Sequence, residues 1–290
     1  MLIALSQFDK KKTGKVRLKP ARPPVKAEMF FRARLEREVQ RMHLEVQALA
    51  NRQTFLKTKY QDLWAAMDKW QNRFDNISQG MGKRLAQDVF DMSKEKLIKQ
   101  LADRLKVNVD ILFDNKKFAD MIDTATFEAA SLIKSIPSDY IGQVARAVLT
   151  HTKQQPLPEG RTLYQQIQHI GGVSKNRAKF IARDQTSKIS GEITKFQNKE
   201  AGIATYQWST SRDSRVVGTP GGKYPKGNEK HGNHYKMEGM YCKWDDSTVY
   251  SVDGVRWKKR TADMPKGNPQ EEIGCRCVAI PVLDRKNIGR

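Results

Sequence analysis

Near the C-terminus, Cys275-Arg276-Cys277 sets two thiols one residue apart, and His231-Gly232-Asn233-His234 supplies two imidazoles upstream. Thiolate sulfur and imidazole nitrogen are the donors that suit a tetrahedral Zn²⁺. His231, His234, Cys275 and Cys277 are therefore the candidate metal ligands, and zinc the candidate cofactor. The Cys-x-Cys spacing is tighter than the usual one for zinc. The same residues also read as two small side chains on a strand, one buried and one exposed, with the histidines on a glycine-flanked loop. Arg183, Asp213, Arg215 and His234 form a second constellation. It could be an acid/base and phosphate-clamp set for cleaving nucleic acid, or an ion-pair network that holds the fold, the commoner use of such groups. Gly218-Thr219-Pro220-Gly221-Gly222-Lys223 lacks the glycine spacing of a phosphate loop. No Gly-x-Ser-x-Gly or Cys/His nucleophile pattern is present. No catalytic residue is assigned, and the chain is expected not to be an enzyme.

Charge points to an acidic partner. The 290 residues carry 53 Lys and Arg against 32 Asp and Glu, a formal charge of +21. Such an imbalance favours nucleic acid, an anionic membrane or an acidic protein surface. No apolar run is long enough to span a membrane. Leu2-Ile3-Ala4-Leu5 is too short for a signal peptide and precedes the positive cluster. Three cysteines make no disulfide framework and suit a reducing compartment. Residues 1–26 hold eight basic residues and one acid and have no apolar periodicity. They read as a disordered basic arm, in which Lys10, Lys11, Lys12, Lys15, Arg17, Lys19, Arg22 and Lys26 would contact DNA or an acidic surface.

The positioning elements follow. Leu35, Met42, Leu49, Leu56, Leu63 and Trp70 recur every seven residues. They interleave with Val39, Val46, Tyr60, Met67 and Phe74, Gln53 filling the one gap in that series. This a/d seam predicts one long helix over about 27–76, packed either within the chain or against a second copy. Glycines 80 and 82 mark an expected break, and Pro137-Ser138 another. Residues 27–155 read as helical, and the Pro- and Gly-containing run from Gln154 to Gly160 as a linker before a domain at 156–290. There Ser174 is the expected N-cap of a helix reaching about Lys199. Strands are expected at 204–209, on both sides of Asp253-Gly254 as a type I′ hairpin, and at 278–282, where Pro281 implies a sheet edge or strand end. Trp257-Lys258-Lys259-Arg260 and Tyr206, Trp208 and Arg212 could clamp single strands, or pack as core with a charged outer face. The fold class is α+β: a mostly helical N-terminal region, then a mixed domain with a long helix and a small antiparallel sheet.

Four segments in order resemble the phage head morphogenesis, or minor head protein, family. They are Ile181-Ala182-Arg183-Asp184-Gln185-Thr186, Asp213-Ser214-Arg215-Val216, His234-Tyr235-Lys236-Met237-Glu238-Gly239 and Pro269-Gln270-Glu271-Glu272-Ile273-Gly274-Cys275-Arg276-Cys277. The resemblance covers roughly residues 174–282, and Gly274 stands where that family usually has Asn. It implies that Arg183, Asp213, Arg215, His234, Gly239, Cys275, Arg276 and Cys277 are family-motif positions. It also implies a minor capsid component made in the host cytoplasm and placed in the head interior near the portal. Its partners would be the portal protein, the major capsid protein or packaged double-stranded DNA, with self-association through the heptad helix and no membrane. The role would lie in head assembly, DNA packaging or ejection. The competing readings are a metal-dependent nuclease or toxin-like enzyme, and a cellular DNA-binding protein.

Overall fold

The computed structural model describes residues 14–52, 56–105, 115–225 and 231–284. Four long helices carry most of them: α1 (Val25–Asn51), α2 (Leu56–Leu105), α3 (Asn115–Thr152) and α4 (Leu163–Glu200). The strands are short: β1 (Lys15–Arg17), β2 (Thr205–Ser209), β3 (Tyr241–Lys243), β4 (Val249–Tyr250), β5 (Lys258–Lys259) and β6 (Val278–Asp284). The expected α+β class is the observed one.

The chain divides into a helical unit, Val25–Ala86 with Ile122–Gln185, and a β unit, Met1–Pro24 with Gln87–Met121 and Thr186–Arg290. The linear boundary expected near residue 156 is thus not where the chain divides, because α2, α3 and α4 each supply residues to both units. The Pro- and Gly-containing segment only turns the chain between α3 and α4, with Gly160 N–H donating to Leu157 O and Arg161 N–H to Pro158 O. Breaking a helix there does not separate two cores.

In the helical unit the heptad seam folds back on itself. Instead of one rod over 27–76, α1 and α2 are separate helices; Gln53 lies outside the described residues. Arg73 pairs with Glu38 through two hydrogen bonds of 2.6 and 3.0 Å, and Lys69 pairs with Glu45 at 2.8 Å, so the two helices run antiparallel. Leu35, Val39, Met42 and Val46 of α1 and Leu63, Trp70 and Phe74 of α2 are all buried. A continuous rod would leave this stripe facing water; a hairpin buries it against the chain's own second half. The expected breaks do not occur: α2 passes through Gly80 and Gly82, α3 through Pro137, and α4 starts at Leu163, leaving Ser174 buried mid-helix.

The β unit contains an antiparallel sheet in the order β1-β6-β2-β3. Its first strand comes from the segment read as disordered: Lys15, Val16 and Arg17 pair with Asp284, Leu283 and Val282. The chain stays tied beyond it through Leu18 N–H to Pro281 O and Ala21 N–H to Ala279 O, both 2.9 Å. Lys19 N–H donates to Gln100 Oε1 at 2.8 Å. Lys26 belongs to the first turn of α1, and Lys10, Lys11 and Lys12 lie outside the described residues. The correction has a plain cause: alternation of Lys15, Val16, Arg17 and Leu18 is a strand pattern, and a sheet edge supplies the hydrogen bonds that a lone arm lacks.

β6, with β1 on one side and β2 on the other, is interior and not an edge. Pro281 is accommodated because its carbonyl faces β1, whose pairing with β6 ends at Arg17, so the missing N–H falls where β1 runs out. The Asp253-Gly254 hairpin also differs, since β4 and β5 pair Val249 with Lys259 and Tyr250 with Lys258, leaving a wide loop. Asp253 carboxylate accepts the backbone N–H of Val255 and of Arg256, each at 2.9 Å, building an Asx-type turn in place of a two-residue one.

One sheet face carries the core. Tyr206, Trp208, Met237, Cys242, Trp244, Cys277 and Ala279 form one buried cluster. The register puts Lys15 and Arg17 of β1, Thr205 and Gln207 of β2, and Tyr241 and Lys243 of β3 on the opposite face.

Candidate metal centre

The two cysteines enter from the segment just before β6, and the histidine from the turn before a 3₁₀ helix at Tyr235–Met237. Gly232 makes the approach possible: its φ is +64° and a Cβ there would sit 2.5 Å from the Met264 carbonyl carbon. A side chain at 232 would thus drive the histidine segment off the loop beneath it.

His234, Cys275 and Cys277 form a group that could hold a metal ion, with one donor atom from each lying within 4.8 Å of the others. His234 Nδ1 is 3.4 Å from Cys277 Sγ and 3.7 Å from Cys275 Sγ. The far nitrogen, Nε2, is 3.1 Å from Glu272 Oε2 and 3.0 Å from His231 O. His234 and Cys277 are buried. Trp208 lies edge-on to the His234 ring at 5.7 Å between centroids, and the Arg260 guanidinium covers the Trp208 ring at 5.5 Å. That guanidinium also donates to Pro265 O, Gly267 O and Cys242 Sγ, so Arg260 braces the domain from inside and is not a surface clamp.

Of the four residues expected as ligands, the structure brings three together. His231 does not join them: its Nδ1 meets Glu272 Oε2 at 3.2 Å. The His231 carbonyl takes the Nε2 side of His234, and the His231 ring turns to the same Glu272 oxygen that His234 Nε2 meets, away from the sulfurs. Glu272 was not singled out in the sequence, although a carboxylate three residues before a cysteine pair is the signal that marks it.

Electrostatics divide the two thiols. A hydrogen bond from Cys277 lowers the Cys275 pKa well below the thiol range against the cost of burial, and His234 adds to it. Cys277 is pushed far up by that same thiolate and by burial. Burial alone would lower His234, but Cys275 and Glu272 overcome it and raise the imidazole to about 10.

The second constellation separates. Arg276, between the cysteines, donates to Asp213 Oδ1 at 2.5 Å, Arg215 Nη2 lies 3.6 Å from Asp213 Oδ2, and Arg215 N–H donates to Oδ1 at 3.0 Å. His234 faces sulfur and Glu272 instead. Arg183 is on the exposed surface of α4 in the helical unit, its guanidinium over the Phe180 ring at 5.7 Å. A carboxylate held by two guanidinium groups is a poor proton acceptor, so the acid/base set is not assembled; of the expected four-residue network only the Asp213–Arg215 pair is present, with Arg276 as its further member. Glu238, another motif residue missed as a site, accepts from Thr210 N–H at 2.6 Å and Arg212 Nη2 at 2.7 Å, fastening the end of β2. Gly239 N–H donates to Trp208 O at 2.8 Å.

The Arg276 hydrogen bond lowers the Asp213 pKa to about 2. Because the folded value is depressed, the pair stabilises the fold above the ordinary carboxylate value of about 3.9 and loses its effect as pH falls towards about 2. Asp213→Asn is expected to cost about 1 kcal/mol at pH 7 in urea denaturation, since a side chain 36% exposed keeps only part of its ion-pair energy. The difference from the parent should close between pH 4 and pH 2.

A protein of Haemophilus influenzae described as uncharacterized is 25% identical to this chain over 302 aligned residues, covering 98% of the chain. The chain spans 60% of that relative's length. No family model and no solved structure matches the chain.

Proposed function

We propose that this chain is a structural minor head protein of a tailed phage, lying inside the head near the portal and contacting portal, shell or packaged DNA. The observation that carries the reading is that three of the four motif segments are tied together by long-range contacts. Asp213 meets Arg276, His234 meets Cys275 and Cys277, and Gly239 meets Trp208, although these partners are far apart in sequence. Residues spent on mutual bracing suit a scaffold role better than a catalytic one. Gly274 strengthens the resemblance. Its φ is +69°, and Asn, the usual family residue there, is the other residue that enters the left-handed region readily.

The reading includes a zinc ion held by His234, Cys275 and Cys277. Bond lengths of about 2.0–2.1 Å to nitrogen and about 2.3 Å to sulfur at a tetrahedral angle separate the two donor types by about 3.6 Å. The observed separations of 3.4 and 3.7 Å bracket that value. Zinc would favour thiolate at both sulfurs and neutral imidazole at His234, releasing protons on binding.

DNA contact falls to the cations along the sheet face opposite the core, whose centre, Gln207 and Val282, is buried. Lys15 Nζ and the Arg17 guanidinium lie 5.4 and 6.0 Å from the Tyr241 ring, and Lys243 Nζ 4.7 Å from the Trp257 ring. A bridge between Tyr241 and Ser251 continues the ribbon to β4 and β5, putting exposed Lys259 in the row of Lys243. Cations resting on aromatic rings keep their charge available for phosphate; Asp284, opposite Lys15, is the acid in register on this face.

Quantitative mass spectrometry of purified phage particles, beside a tagged pull-down from producing cells, tests the proposal. A low fixed ratio to shell subunits with enrichment of portal or shell protein is the expected result. Absence from particles, with nucleic acid alone captured, would overturn it in favour of a cellular DNA binder.

A further inference from the structure

We propose that Glu272 is the positioning residue of the metal centre: it holds His234 as the Nε2–H tautomer, so that Nδ1 is the metal ligand, and His231 is a brace for that carboxylate and not a ligand. The inference rests on the zinc reading above and adds which nitrogen binds and what sets it.

The geometry argues as follows. The two nitrogens of an imidazole point away from each other, and in His234 they face different chemistry. Nδ1 faces two sulfurs, at 3.4 and 3.7 Å. Nε2 faces two oxygens, Glu272 Oε2 at 3.1 Å and His231 O at 3.0 Å. Oxygens of a carboxylate and a carbonyl can only accept, so the proton on neutral His234 belongs at Nε2. The lone pair is then at Nδ1, on the side of the thiols. A carboxylate in hydrogen-bond contact with Nε2 is on the wrong side of the ring to share a metal bound at Nδ1. The same oxygen, Oε2, also takes His231 Nδ1 at 3.2 Å. A metal-bound imidazole whose other N–H is fixed by a carboxylate is more basic and better aimed than a free one.

Two further features belong to the same shell. Glu272 sits three residues from Cys275, with Cys275 N–H donating to Glu272 O at 3.0 Å, so one short turn sets carboxylate and thiol together. Trp208 packs its buried indole against the His234 ring, and its side chain hydrogen-bonds to Cys277 in the sense that favours the thiolate a loaded site needs.

The test uses the full-length chain, titrated with zinc against a chromophoric chelator. Glu272→Ala is expected to weaken zinc binding about 10- to 100-fold at unchanged one-to-one stoichiometry, Glu272→Gln to recover part of that loss, and His231→Ala to change affinity by less than about 3-fold. Long-range ¹H–¹⁵N spectra of the zinc-loaded protein should show His234 protonated at Nε2 and metal-shifted at Nδ1, a signature that a merely structural role for Glu272 would not produce. Equal affinity in Glu272→Ala, metal at Nε2, or loss of stoichiometric binding in His231→Ala would each overturn the inference while leaving the zinc site standing. No binding by the parent protein would instead remove the zinc reading itself.

Discussion

Cys277→Ser will abolish the zinc-dependent part of the β unit's stability. In the parent chain, free zinc at a thousand times its Kd should raise unfolding free energy by about 4 kcal/mol over the chelator-stripped protein, because metal binds only the state in which the donors are assembled. The three donors come from segments separated by a loop and a hairpin, so the unfolded chain presents no such site. Serine leaves a hydroxyl that does not ionise near neutral pH, and a site of one nitrogen and one sulfur is too poor to hold the ion. The increment should vanish in Cys277→Ser and in Cys275→Ser, yet persist in His231→Ala. Hydrogen exchange read at the amides of β2 and β6 localises the effect, since both strands frame the cluster. Identical protection of the parent protein with and without zinc would sink the metal reading.

Trp208→Ala is expected to be the most damaging single change in the sheet, at about 3–5 kcal/mol in urea denaturation. Trp208 is 1% exposed and pairs with Ala279 across β2 and β6. Its indole separates His234 from Arg260, touching both through its ring. Removing it opens a cavity and strips a guanidinium of its aromatic cover in a place where the guanidinium is already committed to two carbonyls. Trp208→Phe should cost only about 1–2 kcal/mol, because most of the packed volume survives. A loss below about 1 kcal/mol for the alanine variant would mean that the cluster does not form the domain's core.

Both outcomes turn on tertiary placement, and the sequence foreshadows them unevenly. The chemistry of the candidate metal group was legible: thiols and imidazoles are few in this chain, and Cys275-Arg276-Cys277 and His231-Gly232-Asn233-His234 each set two donors close together. Which histidine serves was not legible, because a spacing of three residues allows either ring to turn inward. The choice falls to Gly232, whose left-handed backbone aims His234 at the sulfurs, and to Glu272, which occupies the far side of the ring. Arg276 shows the same limit. Nothing local says that the residue between two cysteines points back to Asp213.

The heptad spacing of Leu35 to Phe74 determined by itself that an amphipathic stripe exists and which residues it contains. Whether that stripe would meet a second copy or its own continuation is not contained in the spacing, and the ion pairs Glu38–Arg73 and Glu45–Lys69 record the answer. The α+β class and the strands expected at 204–209 and 278–282, observed as Thr205–Ser209 and Val278–Asp284, also follow from periodicity alone, since periods of 3.6 and 2 are local properties of side-chain burial. What only the tertiary structure decided is the use of long-range hydrogen bonds: a basic N-terminal segment becomes the edge strand beside β6, and a proline is tolerated where that strand ends. Backbone donors must be satisfied somewhere, and a sequence names the donors without naming the partner.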